Sequence, residues 1–215
     1  MLTSMDEKQY AESLLPVDPQ LEQVRTSIRD QQMHDISVPA GYGKLLTLLV
    51  RMTGAKAVLE IGALGGYSGI CLARGLADGG RLTSLELRED YIQLAKNNVS
   101  RAGFGECVEY RAGEALESLK QLYAEGRRFD FFFIDADKGN YPNYLDWALK
   151  LALPGAVIAG DNAFMKGKVY QDQYEGNSVK AMRTFNQRML NDERLEGVLL
   201  PAYDGLAVAR VKAGS

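Results

Sequence analysis

The sequence predicts an α/β fold: a Rossmann-like, doubly wound, mostly parallel seven-stranded sheet with a C-terminal antiparallel strand pair. Three observations carry this. Short apolar runs alternate with amphipathic stretches along most of the chain, the pattern of repeated strand–helix units. The run Ala57 to Ile61 ends in a glycine cluster, Gly62, Gly65 and Gly66, followed by a helix-compatible stretch from Tyr67 to Leu76. Strand, glycine turn and helix form the layout of a nucleotide-binding βα unit. Finally, Phe131 to Ile134 is wholly apolar, as a central parallel strand covered on both faces must be.

Taken in order, residues 5–32 read as two helical pieces broken at Pro16-Val17-Asp18-Pro19. Asp18 is placed to cap the second piece, with Pro19 at its first position. Residues 1–33 are expected to form an N-terminal helical appendage, for packing or dimer contact or, alternatively, as a cover on the substrate side, and residues 34–215 the main domain. Pro39 to Met52 has apolar residues at helical spacing and Gly54 as its C-cap. Beyond the glycine turn, Arg81 to Glu86 reads as a strand and Arg88 to Ala102 as an amphipathic helix closed by Gly103. Cys107 to Arg111 is a short strand, and Ala112-Gly113-Glu114-Ala115 opens a helix running to about Glu125. Tyr141 to Leu151 is helical and Pro154 to Gly160 is a fifth strand. A polar loop, 162–177, precedes a helix from Ser178 to Leu190. Glu196 to Val211 reads as two strands around Pro201 to Gly205, made antiparallel by the Asp204-Gly205 turn.

Composition excludes several functions. At 215 residues, 46% hydrophobic and 25% charged, the chain suits one soluble globular domain. Its net charge of -3, with no Lys/Arg block, gives no electrostatic case for nucleic acid. No apolar run approaches the ~20 residues that span a bilayer. The start, MLTSMDEKQYAESLL, lacks the apolar segment of a signal peptide. Cys71 and Cys107 fall on different elements and read as a reduced pair, so the expected location is cytoplasmic.

Acids cluster where ligands bind in open α/β sheets, at the carboxyl ends of strands. Glu60 lies just before the glycine turn, whose spacing, Gly-x-x-Gly-Gly, is not that of a dinucleotide loop. A carboxylate there would repel a pyrophosphate and welcome a cationic or hydroxyl-rich ligand, which hints at S-adenosylmethionine. Glu86 lies about 20 residues past the glycines, where a carboxylate grips ribose hydroxyls; the alternative is a surface acid at a helix N-terminus. Two more strands end in Ile134-Asp135-Ala136-Asp137-Lys138 and Ala159-Gly160-Asp161-Asn162. Asp135, Asp161 and Asn162 would offer oxygen to a hard divalent ion, Mg²⁺ first, with Ca²⁺ or Mn²⁺ also suited. Helix capping is the plainer reading of any one of these acids. Lys138 is either a solvated lysine or, beside such an ion, a base. His34, the single histidine, reads as structural.

These residues carry a family resemblance. In LEIGALGGYS, FDFFFIDADKGNY, AGDN and LPAYDGLAVAR the chain resembles class I S-adenosylmethionine-dependent, cation-dependent O-methyltransferases of the caffeoyl-CoA and catechol O-methyltransferase group, most of all the small bacterial type. The similarity runs from about His34 to Val211. It implies that Glu60, Gly62, Ala63 and Ser68 line the methionine part of the cofactor and that Glu86 takes the ribose. Gly113 and Ala115 would border the adenine, with Asp135 and Asp137 also on the cofactor side. Asp135, Asp161 and Asn162 would bind the metal, with Lys138 as base and Asp135 beside it in catalysis. Val38 stands where the family often has a cofactor-contacting Thr, and Lys166 where plant members have a substrate-contacting Asn. The implied substrate is a small phenolic, catechol-type acceptor, and the implied assembly a homodimer. Two other readings stand beside this one: an NAD(P)-dependent oxidoreductase on the same fold, and a non-catalytic S-adenosylmethionine-binding protein.

Overall fold

The structure is a computed structural model that describes residues 5–213. Residues 1–4 and 214–215, counted above with the appendage and the main domain, lie outside the described residues. The strands are β1 (Ala57–Ile61), β2 (Arg81–Glu86), β3 (Val108–Ala112), β4 (Phe129–Ile134), β5 (Ala152–Gly160), β6 (Leu195–Leu200) and β7 (Leu206–Val211). The helices are α1 (Glu7–Ser13), α2 (Pro19–Asp30), α3 (Ala40–Thr53), α4 (Tyr67–Ala73), α5 (Glu89–Arg101), α6 (Ala115–Ala124), α7 (Tyr141–Leu151) and α8 (Asn177–Asn191).

One seven-stranded sheet has the order β3-β2-β1-β4-β5-β7-β6. The pairs among β1 to β5 are parallel, while β7 runs antiparallel to both β5 and β6. The chain winds outward from β1 to β3 and then crosses to β4, so the order reverses between β1 and β4. A ligand crevice forms at such a reversal. Expected and observed bounds differ slightly. The β3 strand begins at Val108, because Gly105–Cys107 closes a 3-10 turn, and β4 and β5 begin earlier, at Phe129 and Ala152. Arg74 caps α4 two residues before the expected end of that helix.

Side-chain alternation along β4 divides the core. Phe129, Phe132 and Ile134 pack on one face with Leu145, Met182 and Phe185. Phe131 and Phe133 pack on the other with Tyr42, Leu46, Ile70 and the α2 residues Leu21, Val24 and Ile28. A strand covered on both faces has no polar side, which accounts for its unbroken apolar run. Asp18 caps α2 as its sequence suggests, accepting from the Gln20 and Leu21 amides at 3.1 and 3.2 Å, and it also pairs with Arg74 of α4 at 2.5 Å. No helix among the described residues is long and apolar enough to cross a membrane, and both cysteines are free.

Candidate active site

The parallel ladder continues one residue past the strands. Gly62 donates to Leu85 O at 2.9 Å, Asp135 to Ile61 O at 2.9 Å, Asp161 to Ile134 O at 3.0 Å and Gly113 to Glu86 O at 3.0 Å. Four residues singled out from the sequence are thereby held side by side along the carboxyl edge of the sheet. Gly62 has φ 103, and a Cβ there would lie 2.1 Å from the Asp135 carbonyl oxygen. Only glycine permits this close crossing of the two loops.

A cavity of about 410 Å³ opens above this edge. Val38, Gly62, Ala63, Ser68, Glu86, Gly113, Ala115, Asp135 and Asp137 all line it, together with Tyr91 and Tyr144. Glu86 holds the glycine turn itself: one carboxylate oxygen accepts from the Ala63 and Leu64 amides at 3.1 and 3.0 Å, the other from the Arg88 amide at 3.1 Å. A carboxylate has about four acceptor positions, so capacity remains for a hydroxyl in the cavity. The Tyr144 hydroxyl and the Asn140 amide donate to Asp137, fixing its direction.

Glu60 departs from the expectation that it lines this cavity. It has no exposed surface, and its two oxygens accept from Ser68 Oγ and Ser84 Oγ at 2.5 Å each. Helix α4 lies over it, with Gly69 allowing the close approach. Burial raises its carboxyl to about 7, against the pull of the two serines. Glu60 therefore reaches the cavity only through Ser68.

A second cavity, about 550 Å³, adjoins the first, and Val38, Asp135, Lys138 and Asn162 line both. Lys138 Nζ donates to Asp135 Oδ1 at 2.8 Å and to the Tyr141 hydroxyl at 2.7 Å. Tyr141 is buried and reaches the carbonyls of Ile134 and Asp161 at 3.0 and 3.1 Å, so it braces the ends of β4 and β5. Asp161 Oδ1 accepts from the Asn162 amide at 2.6 Å. Burial, and then the Asp135 carboxylate, push the Asp161 carboxyl upward. Asn162 adopts φ 54, a left-handed conformation that Asn tolerates better than most residues. Tyr42, Tyr141 and Tyr203 belong to this surround: Tyr42 reads as an ordinary helix residue, and Tyr141 and Tyr203, though inside the motifs that carry the resemblance, have no local pattern that marks them as part of a site. His34 is exposed and stands apart from both cavities.

The donor set suits a hard divalent ion. Among the described residues no three His, Cys, Asp or Glu side chains could hold a metal, and the expected set is instead two carboxylates and an amide. Asp135 and Asp161 face each other closely enough that one raises the other's pKa, a repulsion a cation would relieve. The first cavity, ringed by Glu86, Asp135 and Asp137, likewise suits a ligand that is cationic and rich in hydroxyls.

Comparison with known proteins agrees with this geometry. The model of the O-methyltransferase family matches residues 11–212. A catechol O-methyltransferase of Niastella koreensis is 40% identical over 192 residues, covering 86% of this chain and 87% of its own. A catechol O-methyltransferase of Mycobacterium tuberculosis is 37% identical over 204 residues, covering 93% and 92%. The crystal structure of an O-methyltransferase from Bacillus cereus in complex with SAH superposes with a TM-score of 0.90 at 42% identity, over 95% of this chain and 96% of that one.

Proposed function

The chain belongs to the O-methyltransferase family, and from that premise we propose that it moves the methyl group of S-adenosylmethionine to a phenolic hydroxyl of a catechol-type acceptor with the help of a divalent cation. The observation that carries this reading is the junction of the two cavities at Asp135, Lys138 and Asn162. A donor in the first cavity and an acceptor in the second would meet there.

S-adenosylmethionine, when bound, supplies an electrophilic methyl on a sulfonium centre. Gly62, Ala63 and Ser68 would hold its methionyl end, Glu86 its ribose, and Gly113 and Ala115 its adenine, with Asp135 and Asp137 on the same wall. Asp135, Asp161 and Asn162 would hold a divalent ion, Mg²⁺ before Ca²⁺ or Mn²⁺, whose charge favours the ionised form of an acceptor hydroxyl. Lys138, in its neutral form, would take the acceptor's proton, with Tyr141 holding the amine in place. Val38 and Tyr42, both buried, give the junction an apolar wall. Transfer from a cation to an anion disperses charge, so a wall that keeps water out favours the step. Holding both partners in line adds the advantage of proximity.

NAD(P)-dependent oxidation, which the glycine turn alone would allow, gains nothing from the family match. The reading extends to a homodimer working in the cytoplasm, and sedimentation of the purified chain would test the first of these.

Incubation with S-adenosylmethionine, Mg²⁺ and a 3,4-dihydroxyphenyl acceptor should yield a singly methylated product by mass spectrometry. Lys138→Ala should lower kcat by about a hundredfold or more, the usual range for loss of a general base, with little change in cofactor affinity. An unchanged kcat would remove Lys138 as the base, and failure to methylate any vicinal diol would refute the acceptor class.

A further inference from the structure

Three lysines, Lys8, Lys166 and Lys168, line the mouth of the second cavity. None of them has an ion-pair partner among the described residues. The carboxylates nearby keep their charge, but they bond the wall and make no ion pair with these lysines. Glu12 of α1 accepts from the Gly41 amide at 3.0 Å and from the Tyr203 hydroxyl at 2.7 Å. Asp204 accepts from the Lys166 amide at 2.6 Å. With Lys138, four lysines line a cavity that three aspartates, Asp135, Asp161 and Asp204, also line, so cations outnumber acids there in a chain of net charge -3.

The backbone gives the cluster a fixed frame. Six non-glycine residues have positive φ among the described residues, and four of them, Asn162, Met165, Lys166 and Tyr203, line this cavity. Left-handed backbone at a long side chain is strained and persists where surrounding structure enforces it, most often at functional sites. That enforcement is visible. The Ala163 and Phe164 amides donate to the Gly205 and Asp204 carbonyls at 3.0 and 2.9 Å, locking loop 162–167 to the β6–β7 connection. Tyr203, from that connection, reaches Glu12 and so fastens α1 against the cavity. Lys8 of the same helix then lies 5.3 Å from the Tyr203 ring centroid.

We propose that Lys8, Lys166 and Lys168 form an anion subsite at the mouth of the acceptor cavity, which selects phenolic acceptors bearing a carboxylate. The proposal rests on the reading of this cavity as the acceptor site. The lysines attract an anion at the mouth, while the junction presents Lys138 and the oxygens of Asp135, Asp161 and Asn162 to the acceptor hydroxyls. An acid enters with its carboxylate trailing outward and its hydroxyls leading toward Lys138. Through its bond with Tyr203, Glu12 holds α1, and with it Lys8, at the cavity.

The test compares 3,4-dihydroxybenzoate with its neutral methyl ester in the Mg²⁺-supplied enzyme. The acid should be preferred by about tenfold in kcat/KM, or about 1.4 kcal/mol, with the preference residing in KM. It should shrink as ionic strength rises from about 0.01 M to about 1 M, because the screening length falls from about 30 Å to about 3 Å. Lys166→Asn, which keeps a residue tolerant of positive φ, and Lys8→Glu should each lower the acid-over-ester ratio severalfold. Lys120→Gln, on α6 and remote from both cavities, should leave that ratio alone. Equal kcat/KM for acid and ester, or a preference that survives in a folded Lys8→Gln/Lys166→Asn/Lys168→Gln variant, would overturn the subsite while leaving methyl transfer standing. Methylation of neither compound, or of any other vicinal diol, would overturn the acceptor reading and the subsite with it.

Discussion

With no exposed surface and two serine hydroxyls donating to it, the Glu60 carboxyl is raised to about 7, chiefly by burial. In the unfolded chain it ionises near 4.5. Between those values the unfolded chain has lost the proton that the folded protein keeps, so folding stability falls as pH rises through the window and levels off above it. The loss is about 3 kcal/mol if the whole shift is expressed. Glu60→Gln should lack it, so the difference in urea-unfolding free energy between parent and variant should change between about pH 5 and about pH 7.5. A constant difference would mean that the carboxyl is not held protonated. Glu60 also marks a limit of reading from sequence. An acid beside a glycine turn at a strand end is legible as site chemistry. Whether a helix covers it is not, because strand alternation gives a face and says nothing of what lies over that face. Asp135 and Asp161 were legible for the same positional reason, and their exposure to the cavities follows from their place one residue beyond the ladder.

Among the elements, α2 was legible in full. Asp18 before Pro19 is a helix start whose mechanism is local, and the cap forms as that mechanism requires. Asp18→Ala removes this cap together with the pair to Arg74, whose partners are both partly exposed. It should therefore cost about 1–2 kcal/mol by urea unfolding, most of it from the cap. A cost near zero would mean that α2 is held by Leu21, Val24 and Ile28 alone. Helix α1 was legible as a helix, and the N-terminal segment as a packing appendage or, alternatively, a cover on the substrate side; the contact that fixes it there was not legible. The Tyr203 hydroxyl bonds Glu12 across a separation of 191 residues, and no local pattern encodes such a contact. The loop after β5 resisted reading for another reason. Met165–Tyr170 forms 3-10 turns interrupted by left-handed residues at Lys166 and Gly167, so it has neither the period of a helix nor that of a strand.

At the scale of the whole molecule, sheet order explains the site. Reversal between β1 and β4 places the glycine turn of one half beside the acids that end β4 and β5. The first cavity lies over the turn, the second over the acids and the β6–β7 connection, and they join at Asp135, Lys138 and Asn162. Alternating strands and helices made the parallel sheet predictable, and the Asp204-Gly205 turn the antiparallel pairing of β6 with β7; that β7 inserts beside β5 was not legible. The central claim is that methyl transfer needs a divalent ion held by Asp135, Asp161 and Asn162. It is tested most directly by measuring methylation of a 3,4-dihydroxyphenyl acceptor before and after EDTA treatment, and again with Mg²⁺ restored, in the parent and in Asp161→Ala. The expected result is loss of turnover on chelation, recovery with Mg²⁺ in the parent, and little recovery in Asp161→Ala. Undiminished turnover by metal-free Asp161→Ala would contradict it.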